Sequence, residues 1–141
     1  MTDSLSPAIE ARIRDSFARQ AMMATLGAEL TALGPGTCEI TAPILPGATQ
    51  QNGYGHAGLM FSIADSAAGY AALSLMPEDA DVLSIELKIN LLATAKEGLL
   101  VARGTVVKAG RRIVVVQAEV VARTAGGDRP VALVQGTMIP A

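Results

Sequence analysis

Asp65 is the residue whose surroundings are chemically most unusual. It is the only charge in residues 59–76, the longest apolar stretch of the chain. An ionised carboxylate buried without partners is strongly unfavourable. Asp65 therefore faces a polar cavity or titrates abnormally, and either condition suits a general base or a nucleophile. The plainer reading is an Asp satisfied by nearby Ser and backbone groups, or exposed on a helix face. Gly58, Ser62, Ser66 and Gly69 recur with Asp65 at three- and four-residue spacing. On a helix they share one small, polar face.

The segment His56-Ala57-Gly58 is the second candidate, because a helix predicted to start there leaves backbone N–H groups unpaired at its positive end. A carbonyl placed against them would have a developing oxyanion stabilised. Asp65 follows Gly58 by about two turns, so in a tight dimer the start of one helix could face the carboxylate of its twin. Taken alone, the segment reads as an ordinary turn into a helix. Residues 53–58 also match G-x-G-x-x-G. A dinucleotide site needs a strand running into that motif within a βαβ unit, whereas here a Pro/Gly/Gln-rich loop precedes it.

His56 is the only histidine. A Ser-His-Asp arrangement would need a nearby Ser, and G-x-S-x-G is absent. A lone His at a helix start is more often a structural hydrogen-bonder than a catalyst. No second His, Cys or acidic cluster has metal-ligand spacing, so neither a metal nor another cofactor is expected. Ser84 opens an alternating strand on its polar side with Glu86, where a solvent-facing edge position is the usual fate. Gly110-Arg111-Arg112 reads as a turn with solvated charges.

The elements that would position these residues are legible. Ser6 is a helix N-cap with Pro7 at the first position, and the helix runs to about Arg19. A shorter helical piece continues to Leu26. Strand-like runs follow at 28–33 and 37–45, separated by Gly34-Pro35-Gly36. A loop spans 46–55, and the central helix spans 57–76, stopped by Pro77. It is apolar around most of its circumference, which marks a helix enclosed by other elements. Residues 84–91 then alternate polar and apolar without a fault. Further strands are predicted at 99–108, 111–123 and 130–139, with turns at 96–98, 109–110 and 126–128. Strands this closely spaced leave no room for crossover helices, so this part of the sheet is antiparallel.

The reading is therefore α+β: one domain over 1–141, its long helix wrapped by a curved antiparallel sheet, with a helix at the N-terminus. Residues 113–116 are apolar on both strand faces. The central helix can cover one face only. The other is expected to meet another subunit or to lie under the N-terminal helix.

Composition excludes several classes. A net charge of −2 offers no basic field for nucleic acid. Aromatic residues are 3% of the chain and Trp is absent, so the core must be aliphatic. One cysteine, Cys38, excludes an intrachain disulfide and a zinc cluster. It fits a reducing compartment, and the polar N-terminal stretch lacks the apolar core of a secretory signal. A cytoplasmic location is expected. A central Asp costs about 2.5–3.5 kcal/mol on membrane insertion, so residues 59–76 are read as a buried helix, not a span.

The order and spacing of these motifs resembles the PaaI-like acyl-CoA thioesterases of the hotdog superfamily, over about residues 50–137. That family carries a polar residue, usually Asn, six positions before His-Gly-Gly, then a Leu-x-Asp-x-Ala-x-Gly-like helix. A Ser/Thr-x-Glu/Asp-x-x-x-Asn strand, a Gly-Arg/Lys-Arg/Thr hairpin and a terminal Gly-Thr complete the pattern. The matching residues here are Gln50, His56-Ala57-Gly58, and the helical run from Ile63 through Asp65 to Gly69. Ser84-Ile85-Glu86 through Asn90, Gly110-Arg111-Arg112 and Gly136-Thr137 follow.

What the resemblance implies is an acyl-CoA thioester hydrolase working as a homodimer, often a dimer of dimers, with sites at the dimer interface. Asp65 would be nucleophile or base for water. The Ala57 amide would polarise the thioester carbonyl, while Gln50 would orient water or substrate and Ser84 would help hold the water. Asn52, His56 and Gly58 would lie on the substrate-binding side, with Arg111 and Arg112 near the CoA phosphates. Two departures bear on this. Ala57 stands where the family has Gly, which would be costly if the site demanded positive φ. Gln50 replaces Asn, keeping the amide and lengthening its reach. A hotdog hydratase or dehydratase, which needs a His paired with an acid, and a non-catalytic acyl-binding protein are the alternatives.

Overall fold

The structure, a computed structural model, describes residues 4–141. Helix α1 (Pro7–Ala18) starts where Ser6 accepts a hydrogen bond from the Ile9 N–H, at 3.2 Å, with Pro7 in the first turn. Helix α2 (Ala21–Thr25) follows, then strands β1 (Glu29–Gly34) and β2 (Thr37–Pro43). A single 3₁₀ turn, Pro46–Ala48, opens the loop to α3 (Ala57–Leu73). Strands β3 (Val82–Leu91), β4 (Leu99–Ala109), β5 (Val114–Thr124) and β6 (Gly127–Pro140) complete the chain. The α+β order predicted above is the observed one.

Several boundaries differ, β6 starting at Gly127 and not Pro130 and β3 at Val82 and not Ser84, and two of the differences have identifiable reasons. Helix α3 ends at Leu73, short of Met76, because the last turn tightens, with Leu75 and Met76 N–H groups reaching back three residues. The Ser74 hydroxyl binds Ala71 O and accepts from Gly36 N–H, each at 2.7 Å, tying this end to the β1–β2 turn. Strand β5 begins at Val114, later than Arg111, because residues 110–113 form the hairpin, closed by Gly110 N–H to Ile113 O at 2.9 Å.

The six strands form one antiparallel sheet in the order β1-β2-β4-β5-β6-β3. The chain leaves β2 through α3, reaches the far edge as β3, and returns as β4 beside β2. This path lays α3 across the concave face. Ile63, Ala64, Ala67, Ala68, Ala71 and Ala72 are fully covered there, against Ile40, Leu100, Ala102, Val116, Val120 and Met138. Each buried aliphatic side chain of Val or Leu size contributes about 1.5–3 kcal/mol, so this core needs few aromatics. The alanines let the helix approach very closely. A Cβ added at Gly104 of β4 would lie 2.5 Å from the Ala67 carbonyl carbon.

Cys38 on β2 is part of this core, and burial pushes its thiol up to about 12. Helix α1 packs beside α3, with Phe17 edge-on to Tyr70 at a centroid separation of 6.3 Å. It therefore does not cover the outer face of β5. That face is mostly polar, with exposed Gln117, Glu119 and Gln135 around Leu133, while Val114 and Val116 turn inward. Among the described residues no helix is long and apolar enough to cross a membrane.

One irregularity matters for the site. The β3–β6 register slips between Ser84 and Glu86, where Ile85 is an extra residue in a β-bulge. Leu87 and Ile89 pack on the core, and Val82 does so on the other side of the bulge. The parity of the strand therefore changes at Ile85. Ser84 turns toward α3, and Glu86 turns to the outer face, where it accepts from the Thr137 hydroxyl at 2.7 Å.

Candidate active site

Asp65 sits halfway along α3, partly exposed, in a cavity of about 190 Å³ shared with Ser66, Gly69, Tyr70 and Ser84. The helix supplies Asp65, Ser66 and Gly69 on one face, as their spacing predicts. Strand β3 supplies Ser84, whose hydroxyl donates to Asp65 Oδ1 at 2.6 Å and lies 3.1 Å from Met138 Sδ. By alternation alone Ser84 reads as a polar-side edge residue beside Glu86, while the family resemblance assigns it to the site. The bulge separates it from Glu86 and makes Ser84 the hydrogen-bonding partner of the carboxylate. Among the described residues Asp65 has no ion-pair partner, so one carboxylate oxygen is fixed by Ser84 while the group stays open to the cavity.

The start of α3 forms a second cavity, about 370 Å³, lined by Gln50, Tyr54, His56, Ala57, Met60 and Leu91 among others. His56 is the N-cap, and its Nδ1 accepts from the Gly58 N–H at 2.8 Å. The ring thus acts as a cap, with Nδ1 occupied by this contact. The Leu59 N–H binds His56 O at 2.9 Å. The Ala57 N–H finds no acceptor among the described residues. Among the described residues no non-glycine residue has positive φ, so Ala57 occupies the helix start without the strain that a left-handed backbone would impose on it.

Gln50 is held by its own loop. Its Oε1 accepts from Asn52 N–H at 2.6 Å and Tyr54 N–H at 3.2 Å. Two backbone donors fix the side-chain oxygen on that side, so the amide –NH₂ is the end left for the cavity. Asn52 is exposed on this turn and contributes its backbone there, and Gly58 is exposed beside the cap. Arg111 and Arg112 are exposed on the β4–β5 hairpin, outside both cavities.

The two cavities do not meet within one chain. Ala57 and Asp65 are eight residues apart on one helix, about 12 Å along its axis at 1.5 Å per residue. Among the described residues no group of three or more His, Cys, Asp or Glu converges in a way that could hold a metal.

The sequence reading missed one wall of the Asp65 cavity. Ser16 and Gln20, from α1 and the α1–α2 junction, reach it and bind the Tyr70 hydroxyl at 3.1 and 2.8 Å. The one available signal was Tyr70 itself, four residues beyond Ser66 and so an extension of the polar stripe.

The comparisons with known proteins agree with this architecture. The model of the thioesterase superfamily matches residues 52–127. A candidate esterase from Pasteurella multocida is 30% identical over 95 residues, covering 67% of this chain and 68% of its own. The crystal structure of a thioesterase family protein from Silicibacter pomeroyi has a TM-score of 0.89 at 44% identity. It covers 94% of this chain and 97% of that one. The PaaI protein of Escherichia coli, from its phenylacetic acid degradation operon, shares the fold with a TM-score of 0.86 at 22% identity, covering 98% and 96% of the two chains. With a family match over more than half its length, and a helix wrapped by the sheet as in these structures, the chain belongs to the thioesterase superfamily and has its hotdog fold.

Proposed function

We propose that this chain hydrolyses acyl-CoA-type thioesters at a site completed by two copies of itself. The observation that carries the reading is the pairing of Asp65 with Ser84 in a polar cavity, on the same helix whose first N–H is unengaged. The thioester carbonyl oxygen sits against the Ala57 N–H of one copy, and Asp65 of the other approaches the carbonyl carbon. As base, Asp65 takes a proton from water while hydroxide adds to that carbon. The C–S bond then breaks, and the departing sulfur takes the proton to become the free thiol. As nucleophile, Asp65 instead displaces the thiolate and forms a mixed anhydride, which water opens. In either route the amide stabilises charge on the carbonyl oxygen. Ser84 orients the carboxylate, and the Gln50 amide orients water or substrate.

The second copy is expected along β3, an edge strand that exposes Leu83 and Ile85, 56% and 55% accessible. An unpaired edge bearing apolar side chains is a template for strand addition. A further pairing of dimers would use the outer sheet face. Arg111 and Arg112 are proposed to meet the CoA phosphates, and Asn52 and Gly58 to shape the substrate side through their backbones. A cytoplasmic location is proposed on the single cysteine, which fits a reducing compartment. The hydratase alternative is weakened by the His56 ring, whose Nδ1 is already engaged by Gly58.

The test is a panel of aliphatic and aromatic acyl-CoA thioesters with free-thiol detection, run beside Asp65→Asn. Hydrolysis by the wild-type chain, falling roughly 10²–10⁴-fold in the variant, is the expected result. No cleavage across the panel removes the activity. A wild-type rate in Asp65→Asn removes the mechanism even if hydrolysis stands.

A further inference from the structure

The cavity at Asp65 continues along α3 past Gly69 and ends against the α1–α2 junction. Its volume of about 190 Å³ is smaller than the roughly 370 Å³ of the cavity at the start of α3. The far wall is a chain of hydrogen bonds. Ser66 Oγ donates to Gln20 Oε1 at 3.3 Å, and Gln20 Nε2 donates to the Tyr70 oxygen at 2.8 Å, beside which Ser16 Oγ lies at 3.1 Å. Tyr70 is 4% exposed, so its ring belongs to the core and its oxygen is the part that reaches the cavity. The Gln20 amide is oriented from both ends. Its second N–H has no partner among the described residues.

Two branches leave a thioester carbonyl carbon. The arm carrying the sulfur is long and must reach solvent, whereas beyond Asp65 the inner wall of this cavity is Tyr70 and Gln20, with Asp81 and Val82 at its open side. The branch that meets this wall is therefore taken as the acyl side. Resting on the thioesterase reading above, we infer that Gln20 is a specificity-determining residue, selecting short acyl groups that carry a hydrogen-bonding group over plain or longer alkyl chains. An alkyl chain pressed on this wall strips water from Gln20 and Tyr70 and returns no bond. A hydroxyl at the chain end takes the place of that water.

The experiment measures kcat/KM for 4-hydroxybutyryl-, butyryl-, hexanoyl- and decanoyl-CoA with free-thiol detection. The wild-type chain favours 4-hydroxybutyryl over butyryl by on the order of tenfold, with decanoyl-CoA the poorest. Gln20→Ala lowers that ratio toward one and raises decanoyl-CoA relative to butyryl-CoA, because the end wall is opened. Tyr70→Phe keeps the ring against Phe17 and removes one oxygen, so it lowers the ratio even if Gln20→Ala fails to fold. A wild-type ratio near one, or a ratio unchanged in the folded variants, overturns the assignment of Gln20 while leaving hydrolysis intact. No thiol release from these four by a chain that cleaves the wider aliphatic and aromatic panel overturns this assignment alone, and no release from either panel removes the thioesterase reading with it.

Discussion

Ala57 carries the most economical test of the mechanism, because its position allows the N–H to be deleted without disturbing the helix. It is the first residue of α3, where proline is accommodated. His56 before it has φ −64° and ψ 145°, the extended conformation a following proline requires. Ala57→Pro is expected to leave the melting temperature nearly unchanged and to lower kcat roughly 10²–10³-fold, as loss of an oxyanion donor does. Wild-type turnover in a folded Ala57→Pro chain would relieve this amide of its role. Asp65 and Ala57 were legible in the letters because one is a charge in an apolar run and the other marks a helix start. Alternation alone misplaced Ser84. Residues 84–91 alternate faultlessly in type, and Ile85 has nothing about it that announces an extra residue. The parity changes only because β6 pairs Ser84 with Met138 and Glu86 with Thr137, a relation between distant segments. Gln20 was invisible for the same reason, since its partners are about fifty residues away.

Helices and strands were easier to read than their contacts. Composition foretold an aliphatic core, and the structure adds how close the layers lie. Gly104→Ala would drive a methyl group into the Ala67 backbone. We expect a loss of about 1–3 kcal/mol, seen as a lowered melting temperature. Gly47→Ala, in a turn with no atom near the added methyl, is the control and should change little. Strands β2 and β4 are also joined by Glu39 and Arg103, 3.0 Å apart. The Thr31 hydroxyl, and after it the Arg103 guanidinium, hold the Glu39 carboxyl below its ordinary value of 4.5. A lowered carboxyl stabilises the fold at pH above that ordinary value and loses its contribution as pH falls through the lowered one. Denaturant titrations should therefore find Glu39→Gln weaker than wild type by on the order of 0.2–1 kcal/mol at neutral pH, for a pair this exposed. The gap should close in acid. A pH-independent difference would mean that packing, not charge, is responsible.

For the molecule as an assembly, the 12 Å between Ala57 and Asp65 has a genetic consequence. If each site borrows the helix start of one chain and the carboxylate of its twin, two dead proteins can repair each other. In a mixed dimer of Asp65→Asn and Ala57→Pro chains, one site inherits both lesions and the other inherits neither. Random reassortment of equal amounts makes half the dimers mixed, and each of those has one sound site of two. Activity should return to about a quarter of the wild-type level, although neither parent preparation turns over alone. Were both groups to serve the same chain, every site in the mixture would stay broken, and blending would recover nothing.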